Sequence, residues 1–171
     1  MAAVRLRPMS GDEYDAWLVR SRAGYAQDMI ANTGFGEGEA WAKADRDYEF
    51  FLPDGRETQG AFLLTVEDAG SGETVGWIWL VRRPRFGGGE TEAAFLFEIT
   101  IGEERRGRGY GRAAMLALEE HVRELGLDTI DLNVFGGNEI ARGLYRSLGY
   151  AETSVIMTKR LAEVRPPGGS H

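Results

Sequence analysis

Residues 105–126 read RRGRGYGRAAMLALEEHVRELG. Gly107, Gly109 and Gly111 alternate among four arginines. Directly after them Ala114, Leu118, Val122 and Leu125 recur at the spacing of one apolar helical face, which Gly126 closes. The preceding segment, residues 93–101 (AAFLFEITI), is rich in β-branched and aromatic residues and reads as a strand. A strand, a glycine turn and a helix start together present unbonded backbone N–H groups and the positive end of the helix dipole, which suit a phosphate or diphosphate. Glycines let the anion approach the backbone, and Arg105, Arg106, Arg108 and Arg112 add positive charge around it. Spacing argues against two other phosphate loops. A Walker loop needs Gly-Lys-Ser/Thr, and the dinucleotide fingerprint needs Gly-x-Gly-x-x-Gly, whereas the pattern here is Gly-x-Gly-x-Gly.

Working outward, the chain opens with a short alternating strand around VRLR (residues 4–7). Ser10 and Glu13 then stand at capping-box spacing before a helix marked by Tyr14, Trp17, Leu18 and Tyr25. A second helix is expected from about Glu37 to Leu52, with Trp41, Ala44, Tyr48 and Phe51 on one stripe and Pro53-Asp54-Gly55 as its stop. GAFLLTVED and ETVGWIWLV then read as a hairpin about Gly70-Ser71-Gly72. Residues 82–92 (RRPRFGGGETE) read as a solvent-exposed loop, and residues 129–135 (TIDLNVF) as a strand. Asn138 stands at a helix N-cap, Ala141, Leu144, Tyr145 and Leu148 form the buried stripe, and Gly149 ends it. A last strand is expected over residues 152–161 (ETSVIMTKRL). The order is mixed α/β with one parallel crossover, from residues 98–101 to 129–135. One domain is expected over residues 1–162, with 163–171 as a flexible tail.

Composition narrows the chemistry. A chain of 171 residues with 43% hydrophobic residues can bury one ordinary core. The formal net charge of -7 argues against a general nucleic-acid or anionic-membrane surface, so any anion is bound locally. With no cysteine, and His121 and His171 as the two histidines, neither a thiolate metal site nor a cysteine nucleophile is available, and metal-free chemistry is expected. No apolar run approaches the roughly 20 residues of a membrane span and no secretory signal opens the chain, which reads as cytoplasmic.

The segment ITIGEERRGRGYGRAAMLALEEHV resembles the acyl-CoA pyrophosphate loop of the GNAT superfamily of N-acetyltransferases, with Arg106, Gly109 and Gly111 at the named positions of Arg/Gln-x-x-Gly-x-Gly/Ala. LNVFGGNEIARGLYRSLGY is similar to the same family's downstream segment, matched by Asn138, Ala141, Leu144 and Tyr145. The two motifs cover roughly the last half of the chain. The resemblance implies a mixed, mostly antiparallel twisted sheet with a central splayed parallel strand pair and flanking helices. It also implies acetyl transfer from acetyl-CoA to a primary amine by direct attack in a ternary complex, with no metal. The alternative is a non-catalytic acetyl-CoA sensor or interaction module.

On that resemblance the pyrophosphate would lie on Arg106, Gly107, Arg108, Gly109, Tyr110, Gly111 and Arg112, and the pantetheine arm along Ile99, Thr100 and Ile101, with Asn138 and Ala141 beside it. A backbone N–H near Ile99 or Ile101 would polarise the thioester carbonyl. Tyr145 takes the position of the general acid. The base is either Glu98 or a water relay: strand alternation puts Phe97, Ile99 and Ile101 on one face and Glu98 and Thr100 on the other. Trp77 and Trp79 share a strand face as core or pocket wall, and His121 is read as solvent-facing beside Glu120 or Glu124. Arg142 and Arg146 read as a solvated helix face, with the nucleotide's 3′-phosphate as the second reading. A small-molecule acceptor is preferred, and related enzymes often form homodimers.

Overall fold

Strand and helix periods alternate along the chain as the side-chain patterns require. The computed structural model describes residues 2–85 and 91–159. The elements are β1 (Val4–Pro8), α1 (Gly11–Thr33), α2 (Glu37–Phe51), β2 (Ala61–Asp68), β3 (Thr74–Pro84), β4 (Glu92–Ile101), α3 (Tyr110–Glu124), β5 (Ile130–Leu132) and α4 (Glu139–Ser147). They form one five-stranded sheet in the order β1-β2-β3-β4-β5. The first four strands are antiparallel and β5 runs parallel to β4.

Several boundaries fall where local chemistry sets them. Ser10 accepts from the Glu13 N–H while Glu13 accepts from the Ser10 N–H, the reciprocal cap expected at the start of α1. Glu13 is also held by Arg7 of β1, at 2.7 Å, and by the Thr65 hydroxyl of β2 at 3.1 Å. The Arg7 guanidinium pulls the Glu13 carboxyl down to about 2, so α1 is tied to the sheet through an ionised carboxylate. Asn138 caps α4, accepting from the Ala141 N–H at 3.1 Å.

Side-chain alternation divides the core into two layers. On one face Ile78, Leu80 and Leu96 pack against Ala114, Met115, Leu118 and Val122 of α3. On the other, Leu63 and Trp79 pack against Trp17 of α1 and Tyr48 of α2. Five aromatic rings, Trp17, Tyr48, Trp79, Phe97 and Phe51, form a chain of contacts 4.5–6.1 Å between centroids across this second layer.

Three features differ from the sequence reading. The segment read as a loop over residues 82–92 is strand at both ends: Arg82, Arg83 and Pro84 pair with Ala94, Ala93 and Glu92, and the Arg83 guanidinium carbon lies 3.7 Å from the centre of the Phe95 ring. Arg85 and Thr91 lie outside the strands, with the Arg85 N–H donating to the Thr91 carbonyl at 3.1 Å, and 86–90 fall outside the described residues, as does the 163–171 tail. The strand expected at 152–161 does not form over 152–159, where Val155, Ile156 and Met157 are exposed, and 160–161 lie outside the described residues. The parallel pair therefore stands at the sheet's edge among the described residues. Finally, the β3–β4 register shifts between Trp79 and Leu80, which pair with Glu98 and Leu96, so Phe97 is an extra residue bulged out of β4.

The bulge reorders the faces of β4. Ile99 joins the α3 side, as alternation predicts, whereas Phe97 stacks on Trp79 at 4.5 Å on the α1 side instead of sharing the face of Ile99 and Ile101. Beyond the bulge β3 approaches β4 closely. A Cβ on Gly76 would lie 2.2 Å from the Thr100 carbonyl oxygen and 2.9 Å from Ile101 Cδ1. Gly76→Ala is expected to destabilise the fold by about 1–3 kcal/mol, lowering the melting temperature by several degrees in thermal unfolding. An unchanged melting temperature would show that the strands can part there without cost.

Candidate active site

β4 and β5 pair over only three positions, Ala94 with Ile130, Phe95 with Asp131 and Leu96 with Leu132. Past Leu96 the two strands separate, and the cleft between them is lined by Phe97, Glu98, Ile99 and Thr100 from β4 and by Asn133 and Val134 after β5. Its far wall is α4, through Asn138, Ala141 and Tyr145, and its near wall is the cleft face of α1.

The ladder phase fixes what the backbone offers this cleft. The Gly102 N–H donates to the Val75 carbonyl at 2.9 Å, so in the antiparallel alternation Thr100 and Glu98 bond to β3 while Ile99 and Ile101 turn their N–H and C=O groups the other way. Arg106 confirms that direction: its Nε donates to the Ile101 carbonyl at 3.0 Å, and the side chain lines the cleft. Among the described residues no protein acceptor meets the Ile99 or Ile101 N–H.

Below this edge the chain passes a short 3₁₀ turn, Glu103–Arg105, and enters α3. Gly107 and Gly109 have φ of +71° and +87°, left-handed values that disfavour any side chain. Their glycine identity thus has a backbone cause, in addition to any ligand. Gly111 is different: it is helical, and a Cβ there would meet Leu144 at an ordinary 3.5 Å. Among the described residues the amides of positions 107 to 112 make no hydrogen bond to a protein acceptor. A loop with six free amides beside a helix start has the donors a diphosphate requires.

The arginines of the loop are not equivalent. Arg105 pairs with Glu73 at 2.8 Å, and Arg112 donates to the Ser147 hydroxyl at 2.9 Å. Arg108 and Tyr110 line a separate shallow pocket with Asp68, to which the Tyr110 hydroxyl donates at 2.7 Å; that bond and two backbone donors hold the Asp68 carboxyl down to about 2. Arg142 and Arg146 both bind Glu152, at 2.8 and 2.6 Å, so the solvated helix face is an ion-pair cluster. His121 is half-buried with its ring edge on Phe62, correcting the solvent-facing reading, although its Nδ1 does lie 4.0 Å from Glu124.

Glu98 sits on the α1 side of β4 in the cleft, where burial pushes its carboxyl above the usual carboxylate range. Two hydroxyls oppose that shift: Ser21 of α1 donates to one carboxylate oxygen, and Thr100 donates to the other at 2.9 Å. Ser21 is also hydrogen-bonded to the buried Tyr48 hydroxyl of α2. The Trp17 indole N–H is buried nearby with no partner in bonding geometry, yet close enough to favour the carboxylate. Sequence reasoning found Glu98 and missed Ser21 and Tyr48. Their positions, one turn past Trp17 and on the α2 stripe, carried the signal only once α1 and α2 were known to face β4. Tyr145 lines the opposite wall and is half-buried, with its phenol pushed up by desolvation and so protonated at neutral pH. Trp77 and Trp79 resolve into both readings at once, Trp79 buried in the core and each lining the cleft. No group of histidine and acidic side chains suited to a metal ion occurs among the described residues, and no helix there is long and apolar enough to cross a membrane.

The acetyltransferase (GNAT) family model matches residues 25–150, and the chain belongs to that family. Over 159 residues the chain is 33% identical to the uncharacterised N-acetyltransferase YdgE of Bacillus subtilis, covering 93% of this chain and 99% of that one. A mycothiol acetyltransferase from Kytococcus sedentarius is 30% identical over 163 residues, but the match spans 47% of its length. The crystal structure of B. subtilis YycN superposes with a TM-score of 0.86 at 29% identity, covering 94% of this chain and all of that one. The aminoglycoside N-acetyltransferase AAC(6′)-Iy in complex with CoA shares the fold, with a TM-score of 0.57 at 16% identity. The protein is an acyltransferase of this family.

Ser21→Ala removes a donor from the Glu98 carboxylate, so the Glu98 pKa is expected to rise further. Carbon-13 NMR titration of the glutamate carboxyls reads this directly, and an unmoved or lowered value would show that Ser21 does not stabilise the ionised form.

Proposed function

We propose that this acetyltransferase takes acetyl-CoA as acyl donor and a small primary amine as acceptor, joined by direct attack in one ternary complex. The observation that carries the reading is the unpaired β4 edge at Ile99 and Ile101, which leads straight to the free amides at 107–112. An extended amide-bearing arm ending in a diphosphate needs those two donor sets in that order. Gly107, Gly109, Gly111 and Arg106 hold the diphosphate, with Arg108, Tyr110 and Arg112 at the loop's flank. Ile99, Thr100 and Ile101 align the arm, and Asn138 and Ala141 face it from α4. The bound donor supplies an activated thioester.

The chain's own groups manage the protons. Glu98 takes one proton from the acceptor's ammonium, because only the neutral amine has a lone pair. The amine nitrogen then forms its bond to the carbonyl carbon while the carbon–sulfur bond breaks and sulfur keeps the electron pair. Tyr145 delivers a proton to that sulfur and regains one from the nitrogen through water; Glu98 returns its own to solvent. The balance is one amide, one thiol and one released proton. The raised pKa of Glu98 brings it nearer to neutral pH than an ordinary glutamate, and so makes it a better match to an ammonium.

Because the base must be ionised, kcat/KM should rise with pH through the Glu98 pKa, at a position displaced upward from that of an exposed glutamate. Glu98→Gln should remove this limb and lower kcat/KM by about 10²–10⁴-fold, and Tyr145→Phe should depress kcat far more than it weakens acetyl-CoA binding. Retention of the limb in Glu98→Gln would assign the proton to water instead. Gly111→Val tests the loop without left-handed strain: acetyl-CoA affinity measured by calorimetry should fall while the melting temperature holds within a few degrees. Undiminished affinity would remove the diphosphate from this turn.

A further inference from the structure

α1 turns a stripe of side chains toward the cleft, and this stripe has an imbalance. Beside this stripe Arg22 pairs with Asp45 of α2, and within α2 Lys43 pairs with Asp47 at 2.6 Å. Arg20, in the same wall, makes no ion pair among the described residues; its guanidinium lies 4.4 Å from the centre of the Trp77 ring. A guanidinium held over a ring in this way can still turn its N–H groups to an oxygen acceptor. The Trp79 indole N–H, on the same strand face two residues on, is buried without an acceptor.

One turn beyond Arg20 stands Gly24, within a 23-residue helix, where a glycine costs about 1 kcal/mol relative to alanine. No packing demand explains it: a Cβ there would find nothing within 4 Å. What Gly24 preserves is free volume in the cleft, directly beside the unpaired cation.

The position of this pocket relative to Glu98 follows from the register. Trp77 pairs with Thr100 and Trp79 with Glu98, so the strand position under Arg20 lies two residues, about 7 Å of backbone rise, from that of Glu98. Arg20 also precedes Ser21, which holds Glu98, and its charge acts on that carboxylate. A cation over Trp77 and an anion at Glu98 thus face the same free volume from neighbouring strand positions two residues apart.

Building on the acetyl-transfer reading above, we infer that the acceptor is an amine carrying its own carboxylate a few bonds away, an amino acid or close analogue, with its ammonium at Glu98 and its carboxylate on Arg20. Arg20 is then the residue that selects acceptors, and Gly24 leaves room for the atoms between the two charges. A planar guanidinium presents two parallel N–H groups to a carboxylate, which a lysine in its place cannot.

The test titrates CoA-loaded protein by calorimetry with matched pairs, leucine against isopentylamine and phenylalanine against phenethylamine. Wild type should bind the carboxylate-bearing member at least tenfold more tightly. Arg20→Gln should abolish that preference, and Arg20→Lys should restore part of it. Equal binding within each pair, equal losses for both members in Arg20→Gln, or no binding by any member would overturn the inference. Thiol release from acetyl-CoA with the plain amines reports transfer alone. Its presence without a carboxylate preference sinks only the inference, whereas carboxylate-dependent binding with no thiol release on any amine sinks the transfer reading and leaves Arg20's role standing.

Discussion

A half-buried backbone amide must find an acceptor in protein, water or ligand, and β4 has two such amides, at Ile99 and Ile101, facing away from β3. Among the described residues they have no protein partner, because β5 stops pairing after Leu132. Had the parallel ladder run on by four residues, the sheet would be closed there and the cleft would not exist. The rest of the site is arranged about that opening. Arg106 crosses its end, α4 walls it with Tyr145, and α1 closes its other side with Ser21.

Burial and hydrogen bonding work against each other at Glu98, and burial wins. The aromatic layer formed by Trp17, Tyr48, Trp79 and Phe97 lowers the local polarity and raises the carboxyl's pKa, while Ser21 and Thr100 donate to the carboxylate and oppose that rise. The donors come from separate elements, α1 and β4, and Ser21 is itself braced by Tyr48 of α2. The carboxyl's acidity therefore depends on the seating of both helices on the sheet, which the Arg7–Glu13 bond and the Thr65 hydroxyl secure at the start of α1.

Much of this was legible in the sequence for identifiable reasons. The capping box at Ser10, the turn at Gly70-Ser71-Gly72, the N-cap at Asn138 and the apolar stripe of α3 are local signals, each decided by a few neighbouring residues. The parallel crossover followed from a helix lying between two strands. The failures were nonlocal. Arg82–Pro84 read as loop because their charges and proline suggest one, yet pairing with Glu92–Ala94 carries them into the sheet. Residues 152–159 carry the β-branched Thr153, Val155, Ile156 and Thr158 of a strand, but no neighbouring strand receives them among the described residues, and a strand exists only by pairing. Ser21 and Tyr48 were invisible as site residues because neither belongs to a motif, and only the docking of α1 and α2 on β4 brings them to Glu98.

The bulge at Phe97 was equally invisible, and it decides which way Glu98 points. Period-two alternation from Leu96 would have put Glu98 in the apolar layer under α3; the extra residue returns it to the cleft. No exchange of one side chain for another can reverse that choice, since the parity of the strand is set by how many residues it has. The face that Glu98 takes is thus sensitive to codon number, because losing or gaining three nucleotides in this strand shifts every following side chain to the other face. Relatives aligned through this strand without a gap will then credit the wrong carboxylate whenever only one of the two carries the insertion.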